Sequence, residues 1–479
     1  MKALAAAGAL LLVMINPFAA AQNTASGDLD LSLPDLGTPS SQALSATDQA
    51  RIGQEMMREI RGALDLIDDP AINAYIRDLG ARIATATSRP AEHYQFFVID
   101  DPRINAFAMP GGYIGIHTGL ITASRNESEL GAVIAHELSH VTQRHIAERV
   151  GAAQGTSLRT AAMVLAGLLI SSQNPQAGMA AATSGMASGI DSQLAYSREH
   201  EREADRAGMR IMARASLNPE GMPDFFEVLN NDSRYRSNPP PFLSTHPLTE
   251  ARIADARSIA QKLTVERVFE SPDYAYIRAR TVALTADQAD DSLAAFQARM
   301  AQSPTPGERY GLAYALIAAD KPARGIQHLQ SLLKTQGENP LLYLALAEAD
   351  LAKSNPQAAL DHLDQGLSLF PGHPALRFTQ VQAHLQAGET QRALALTRDL
   401  THGQPNAAEI WALHAKVANK ASDPTESAIA MAQFYAVQGD LEAGLSQLRR
   451  VDQTRASGRQ WARAQALRER WEQRLKPAS

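Results

Sequence analysis

Apolar residues recur every three or four positions in the stretch that begins at Asp48. This period is typical of amphipathic helices, and the Asp-Asp-Pro of residues 68–70 predicts a break between two of them. Residues 94–99 and 106–121 are rich in β-branched and aromatic residues and predict strands. The Pro-Gly-Gly of residues 110–112 interrupts the second one, so we expect a hairpin or a bulged edge strand there. The first half of the chain therefore predicts an α+β domain.

A repeat of 34 residues marks the second half of the chain. Prolines recur at this interval, and small and apolar residues keep the same register: Pro272, Pro306, Pro340 and Pro374; Ala315, Ala349 and Ala383; Gly325, Ala359 and Ala393. The period is that of tetratricopeptide repeats, whose paired helices stack into a solenoid with a concave face that binds polypeptides. Pro405 comes only 31 residues after Pro374, and residues 422–450 match weakly, so we expect irregular or capping repeats at the end.

The composition favours a mostly helical protein. Aromatic residues make up 5% of the chain, while Ala and Leu are abundant, which argues against an all-β fold. The net charge of -6 lacks the basic footprint that nucleic acids require, so we expect no nucleic-acid partner. Because the chain has no cysteine, any metal must be bound by His, Asp or Glu.

The first residues have the pattern of a secretory signal. Lys2 precedes an apolar run, residues 3–14, and Pro17 and three alanines follow it. We predict a signal peptide over residues 1–21, cleaved after Ala21, and hence export to the periplasm. Residues 22–46 are rich in Ser, Gly, Pro and Asp and predict a flexible leader.

Residues 161–190 are biased toward Ala, Gly, Met and Ser. The longest apolar run in this segment, residues 161–170, is too short to span a bilayer. We expect a mobile loop, a lid or an interfacial element. A weaker alternative is that the segment makes peripheral contact with a membrane.

The sequence HELSH of residues 136–140 lies where a helix is predicted. Asn126 and Glu129 form a variant of a capping box at its start. Two histidines at i and i+4, His136 and His140, project from one helical face and can bind one Zn²⁺. Glu137 lies beside them, placed to take a proton from water.

A zinc hydrolase needs a third protein ligand and an open position for water. In the charged stretch 196–205, Glu201 and Asp205 share a helical face. Glu201 can bind zinc while Asp205 accepts the second N–H of a ligating histidine. The residues alone leave three alternative ligands open: Glu199, His200 and Glu203.

His145 is predicted to be a poor ligand. It lies nine residues after His136, which turns it to roughly the opposite face of a continuing helix. The metzincin pattern is also absent, because it needs a third His at position 146, which is Ile, and a Gly at position 143, which is Gln.

Three motifs occur in the order of a known family: NAFAMPGGYI at residues 105–114, AHELSH at residues 135–140 and ExxAD at residues 201–205. Together they resemble the M48 family of gluzincin metallopeptidases. The fold that this resemblance implies is a mostly helical α+β chain, with a gluzincin-type metalloprotease domain over residues 47–268 and an α-solenoid of tetratricopeptide repeats over residues 269–479.

The resemblance also implies roles for single residues. His136, His140 and Glu201 would bind one zinc ion per chain. Glu137 would be the general base, and Asp205 would support the site from behind the ligands.

A further match concerns the Ser-Thr-His-Pro of residues 244–247, together with Arg252. In members of the family that carry a signal peptide ahead and repeats behind, the corresponding histidine fills the fourth zinc position. His246 would therefore be a regulatory ligand that holds the enzyme latent.

These relatives act in outer-membrane assembly. The resemblance implies a periplasmic zinc endopeptidase and chaperone that degrades misassembled β-barrel proteins, with repeats that dock on the barrel assembly machinery. We expect the substrate to lie extended along the strand around residues 105–109. The alternative is a chaperone or adaptor whose zinc site stays plugged.

Overall fold

The computed structural model describes residues 45–89, 94–145, 197–235, 239–301 and 304–475. The predicted signal peptide (1–21), nearly all of the leader (22–46) and the biased segment 161–190 lie outside the described residues. Within the described ranges, no helix has the length and apolar character needed to cross a bilayer.

Two helices open the fold, as predicted. Helix α1 (Ala46–Ala63) begins after Ser45, whose side chain accepts the backbone N–H of Asp48. Helix α2 (Pro70–Thr85) begins with proline at its first turn, and the Asp69 side chain caps it.

A three-stranded sheet follows, with β1 (Gln95–Ile99), β2 (Ala106–Met109) and β3 (Tyr113–His117). The order is β1-β3-β2, with β1 parallel and β2 antiparallel to β3. Residues 110–112 make the predicted hairpin turn, and both glycines have a φ of +80° that favours this residue type. The hairpin leaves β2 at an edge of the sheet.

The prediction of a strand up to residue 121 was wrong. The strand ends at His117, and the residues that follow form a short helix, α3 (Thr118–Ala123). The Thr118 hydroxyl donates to the carbonyl of Asp101, and the Gly119 backbone lies so close to residues 102–103 that an added Cβ would overlap them. These contacts with a distant loop override the local apolar pattern.

Helix α4 (Glu127–Thr142) runs through the centre of this half of the molecule. All of its residues as far as His140 are buried. The cap is the predicted one, since the Asn126 side chain accepts the Glu129 N–H at 2.9 Å. The motif helix is therefore enclosed and held at its start.

Helix α5 (Arg198–Arg214) packs closely along α4. At Gly208 the two backbones nearly touch, because an added Cβ would lie 3.3 Å from the backbone nitrogen of His136. The described residues of this half contain three more helices: α6 (Gly221–Tyr235), α7 (Pro241–Thr245) and α8 (Glu250–Ala260).

In the part of the second half that the structure describes, twelve helices form six successive pairs. They are α9 (Tyr274–Leu284), α10 (Ala289–Met300), α11 (Pro306–Ala318), α12 (Pro322–Gln336), α13 (Pro340–Ala352), α14 (Pro356–Leu369), α15 (Pro374–Gln386), α16 (Thr390–Gly403), α17 (Ala408–Lys420), α18 (Pro424–Val437), α19 (Leu441–Arg449) and α20 (Gly458–Leu475). Gly325, one of the small residues in register, lies where two paired helices approach closely. A Cβ on Gly325 would lie only 2.8 Å from the Ala313 carbonyl oxygen.

The prediction of irregular repeats at the end of the chain is wrong for α17 and α18. These helices begin 34 residues after α15 and α16, in full register. The turn between paired helices also keeps the period, with a residue of positive φ at each repeat: Asp320, Ser354, Gly388 and Ser422. Pro405 does not mark the start of a repeat, because it lies outside α17. Its carbonyl accepts the Trp411 indole N–H. The short α19 does depart from the pattern.

One hydrophobic core runs from α2 through α4 into the repeats as far as α15. Polar contacts also join the two halves. Arg280 of α9 lies between Asp69 and Glu348, and Arg77 of α2 contacts Glu409 of α17 at 2.6 Å. The repeats therefore pack against the side of the molecule that carries α2.

Candidate metal centre

Four side chains that can bind a metal meet inside the first half of the molecule. His136 and His140 lie one turn apart on α4, Glu201 lies on α5 and His246 follows α7. All four are buried, and their ligand atoms lie within 4.8 Å of one another.

The spacing of these atoms fits a tetrahedral metal ion. His136 Nε2 lies 3.1 Å from His140 Nε2 and 3.2 Å from His246 Nδ1. Glu201 Oε1 lies 2.9 Å from His246 Nδ1 and 3.4 Å from His140 Nε2. Four ligands at zinc-bond length around a tetrahedral centre lie about 3.3 Å apart. The donor set, three imidazoles and one carboxylate, suits a divalent transition metal.

His246 is held in this position by its own segment. Its backbone N–H donates to the carbonyl of Phe242 at 2.9 Å, and the two rings stack with centroids 4.5 Å apart. Its second ring nitrogen, Nε2, lies 3.3 Å from Glu137 Oε1. His246 thus contacts the ligand cluster with one nitrogen and the expected base with the other.

Glu137 is fully buried beside the cluster. Burial raises the pKa of Glu137 to about 8, and the nearby Glu201 carboxylate adds to the effect. A carboxylate with a pKa near neutral is suited to accept and return a proton.

The carboxylate of Asp205 lies 3.0 Å from His136 Nδ1, the nitrogen that faces away from the cluster. Burial alone would raise the pKa of Asp205, but hydrogen bonds from His136 and Arg252 outweigh it and keep the pKa below its ordinary value. Asp205 is therefore a charged acceptor that orients the His136 ring.

Arg252 is a site residue whose function spacing did not predict. Its guanidinium binds both oxygens of Asp205 at 2.8 Å, Glu201 Oε2 at 2.7 Å and the Pro247 carbonyl at 2.8 Å. A position 47 residues from Asp205 has no local signal in the sequence. The family segment that contains Arg252 was the only pointer to it.

The predicted placement of His145 was wrong. Helix α4 ends at Thr142 and Arg144 adopts a φ of +62°, so the chain turns back instead of continuing the helix. His145 Nδ1 then lies 3.0 Å from His140 Nδ1. His145 is close to the site but lies outside the group of four ligand atoms.

The three alternative ligands lie elsewhere on α5. The ring of His200 stacks on that of His145, and the Glu203 side chain is 59% exposed. Glu199 is exposed. Among the residues that the structure describes, none of the three belongs to the cluster of possible metal ligands.

Comparisons with known proteins show the family of this chain. A model of peptidase family M48 matches residues 70–260, and a tetratricopeptide repeat model matches residues 350–417. The chain is 34% identical over 427 residues to the beta-barrel assembly-enhancing protease of Escherichia coli (strain K12), covering 87% of this chain and 86% of that protein. This chain belongs to peptidase family M48.

Other relatives show the same domain. The putative beta-barrel assembly-enhancing protease of Vibrio cholerae is 33% identical over 414 residues, with 86% of each chain covered. The mitochondrial metalloendopeptidase OMA1 of Schizosaccharomyces pombe is 27% identical over 197 residues, 40% of this chain and 54% of that one. The predicted family and fold class are confirmed: this M48 peptidase is a mostly helical metalloendopeptidase with tetratricopeptide repeats.

Proposed function

We propose that this M48 peptidase is a zinc-dependent endopeptidase and chaperone of the periplasm that degrades misassembled outer-membrane β-barrel proteins. The observation that carries the proposal is the buried group of four ligand atoms with a carboxylate beside it. The names of the relatives, which link them to β-barrel assembly, support the biological role. The predicted signal peptide supports the compartment. The division into a peptidase unit, residues 47–268, and a repeat unit, residues 269–479, is part of the proposal.

In this proposal His136, His140 and Glu201 hold the zinc ion. When bound, zinc polarises the attacking water and the scissile carbonyl. The Glu137 carboxylate accepts a proton from the water whose oxygen attacks the carbonyl carbon. Glu137 then gives that proton to the amine nitrogen as the C–N bond breaks. Asp205 holds the His136 ring through Nδ1.

We propose that the substrate lies extended beside β2. This strand is at an edge of the sheet, and α4 packs against it. An edge strand offers backbone groups that pair with any extended peptide, whatever its side chains. Such binding suits unfolded β-rich clients.

We propose further that His246 keeps the enzyme latent as a fourth zinc ligand. Its Nδ1 lies in the cluster, and its Nε2 lies 3.3 Å from the Glu137 carboxylate. Water and substrate need the same space, so His246 must move before cleavage begins.

A second candidate function, a chaperone or adaptor with a plugged site, is favoured by one observation. A cavity of about 730 Å³ lies between β1 and the end of α16, and its lining combines apolar side chains such as Phe96 and Phe434 with charged ones such as Arg77 and Glu409. Such a cavity can hold part of a client without cleaving it. In either case we propose that the repeats dock on the barrel assembly machinery.

The test is degradation of an unfolded β-barrel client by the chain without its predicted signal peptide, after zinc quantification. Three proteins are compared: wild type, Glu137→Gln and His246→Ala. We expect His246→Ala to cleave at least tenfold faster than wild type and Glu137→Gln to be inactive. Folded, zinc-loaded proteins that all fail to cleave would reject the peptidase role and favour the adaptor.

A further inference from the structure

The two histidines of the HELSH motif differ in what their outward nitrogens meet. His136 Nδ1 meets a carboxylate, that of Asp205, at 3.0 Å. His140 Nδ1 meets another imidazole, that of His145, also at 3.0 Å. His145 is 2% exposed, so this contact is closed off from solvent.

The direction of the hydrogen bond follows from the orientation of His140. Its Nε2 faces the other ligand atoms, 3.1 Å from His136 Nε2. A neutral imidazole that binds a metal through Nε2 carries its proton on Nδ1. The Nδ1–H of His140 must therefore donate, and His145 Nδ1 must accept with a free lone pair.

Two neighbouring side chains hold the His145 ring in this orientation. Its ring stacks on that of His200, with centroids 4.2 Å apart and 17° between the planes. Its other nitrogen, Nε2, points toward the Glu203 carboxylate at 3.6 Å. The negative charge of that carboxylate favours a proton on Nε2, in keeping with Nδ1 as the acceptor toward His140. The positive φ of Arg144 directs the ring into this position.

We infer that His145 is a positioning residue of the metal centre: its Nδ1 accepts the Nδ1–H of His140 and so holds His140 with Nε2 toward the metal. The inference rests on the proposed ligand set, in which His140 binds zinc. It gives the second motif histidine an orienting partner, as Asp205 does for the first. Loss of such a partner typically weakens metal binding 10- to 100-fold.

The test compares zinc dissociation constants, measured by chelator competition on the chain without its predicted signal peptide. His145→Phe keeps an aromatic ring to stack on His200 and removes the acceptor, whereas His145→Gln keeps a side-chain acceptor. His200→Phe is the matched control, because it alters the stack and leaves His145 Nδ1 in place. His136→Ala tests the ligand set itself.

We expect the dissociation constant of His145→Phe to rise about 10- to 100-fold, that of His145→Gln to rise less, and that of His200→Phe to change less than threefold. The visible absorption of the Co²⁺-loaded His145→Phe protein should shift as His140 reorients. The melting temperatures of the metal-free proteins report on folding, and His145→Leu replaces His145→Phe if the latter does not fold.

Two results would overturn the inference. Wild-type zinc affinity and an unchanged Co²⁺ spectrum in His145→Phe would show that the contact does not orient His140. Loss of zinc as complete as in His136→Ala would make His145 a ligand. If His136→Ala bound zinc as tightly as wild type, the proposed site itself would fail, and this outcome is separate from the other two.

Discussion

At the scale of single residues, Arg252 ties together parts of the site that the chain supplies from three elements. One guanidinium contacts Glu201, Asp205 and the carbonyl of Pro247, the residue after His246. Both carboxylates are buried, so removal of this cation leaves two buried negative charges without its compensation. Arg252 therefore holds the carboxylates in place at the ligand cluster and anchors the segment that carries His246.

Arg252→Lys should damage the site although it keeps the charge. A lysine cannot form the forked contacts with Asp205 and reach Glu201 and Pro247 together. Breaking a buried ion pair typically costs about 3–5 kcal/mol, and we expect about half of that here because the charge remains. The measurement is the melting temperature of the metal-free chain with its zinc affinity, both of which should fall.

The matched control for Arg252 is Arg257→Lys on the same helix. The Arg257 side chain is 51% exposed, and exposed ion pairs contribute little to stability. If Arg252→Lys has the same melting temperature as the control and binds zinc with wild-type affinity, the anchoring role assigned to Arg252 is wrong.

At the scale of elements, the last repeats are fastened by a buried carboxylate. Glu426 of α18 accepts from His414 Nε2 of α17 at 2.8 Å and from Arg463 Nη2 of α20 at 2.6 Å. Burial alone would raise the pKa of Glu426, but these hydrogen bonds and charges outweigh it and lower the pKa to about 2. One residue thus joins three helices near the end of the solenoid.

The pKa of Glu426 gives this link a pH dependence. A group whose pKa falls on folding stabilises the folded state above its unfolded pKa, and the effect is lost as the pH drops through the folded value. Glu426→Gln should lower the melting temperature by about 2 °C at pH 7, from about 2 kcal/mol of lost charged hydrogen bonds in a chain of this size. The difference from wild type should shrink from pH 4.5 toward pH 2.

Glu442→Gln on the exposed face of α19 serves as the control for Glu426. It should melt within about 1 °C of wild type at both pH values. A melting temperature of Glu426→Gln that differs from wild type equally at pH 7 and pH 2.5 would contradict the assigned charge state.

At the scale of the whole molecule, the two halves share a core and a buried charge network. Arg280 is 1% exposed and contacts Asp69, which caps α2, and Glu348 on α13. Its guanidinium also lies 4.5 Å from the Tyr314 ring centroid. This buried cation, between the buried Asp69 and the partly exposed Glu348, fixes the first repeats against the peptidase.

Arg280→Met should loosen this junction. It fills a similar volume but leaves the carboxylates of Asp69 and Glu348 facing each other, at a typical cost of about 3–5 kcal/mol. We expect faster cleavage by an added protease in residues 261–273, between the halves, and a lower melting temperature. Arg324→Met, on an exposed position of α12, is the control. Equal protease resistance of the two variants would show that the network does not hold the halves together.

What could be predicted from the sequence depended on the distance over which the contacts act. The HELSH helix and its Asn126 cap are local patterns, and the 34-residue period repeats one pair of helices. The structure has all three features. Helix α3, the turn that returns His145 and the function of Arg252 depend on contacts between distant segments or on a single positive φ. No local spacing encodes these features, so they could not be predicted from the sequence.

The most direct test of the proposed zinc site is a crystal structure of the zinc-loaded chain with the metal located by anomalous scattering. We predict one zinc ion between His136, His140, Glu201 and His246, bound by all four. In the His246→Ala variant a water should take the fourth position beside Glu137. A zinc ion at another site would contradict the proposed ligand set. A wild-type protein in which His246 points away from the metal would contradict its proposed role as the fourth ligand.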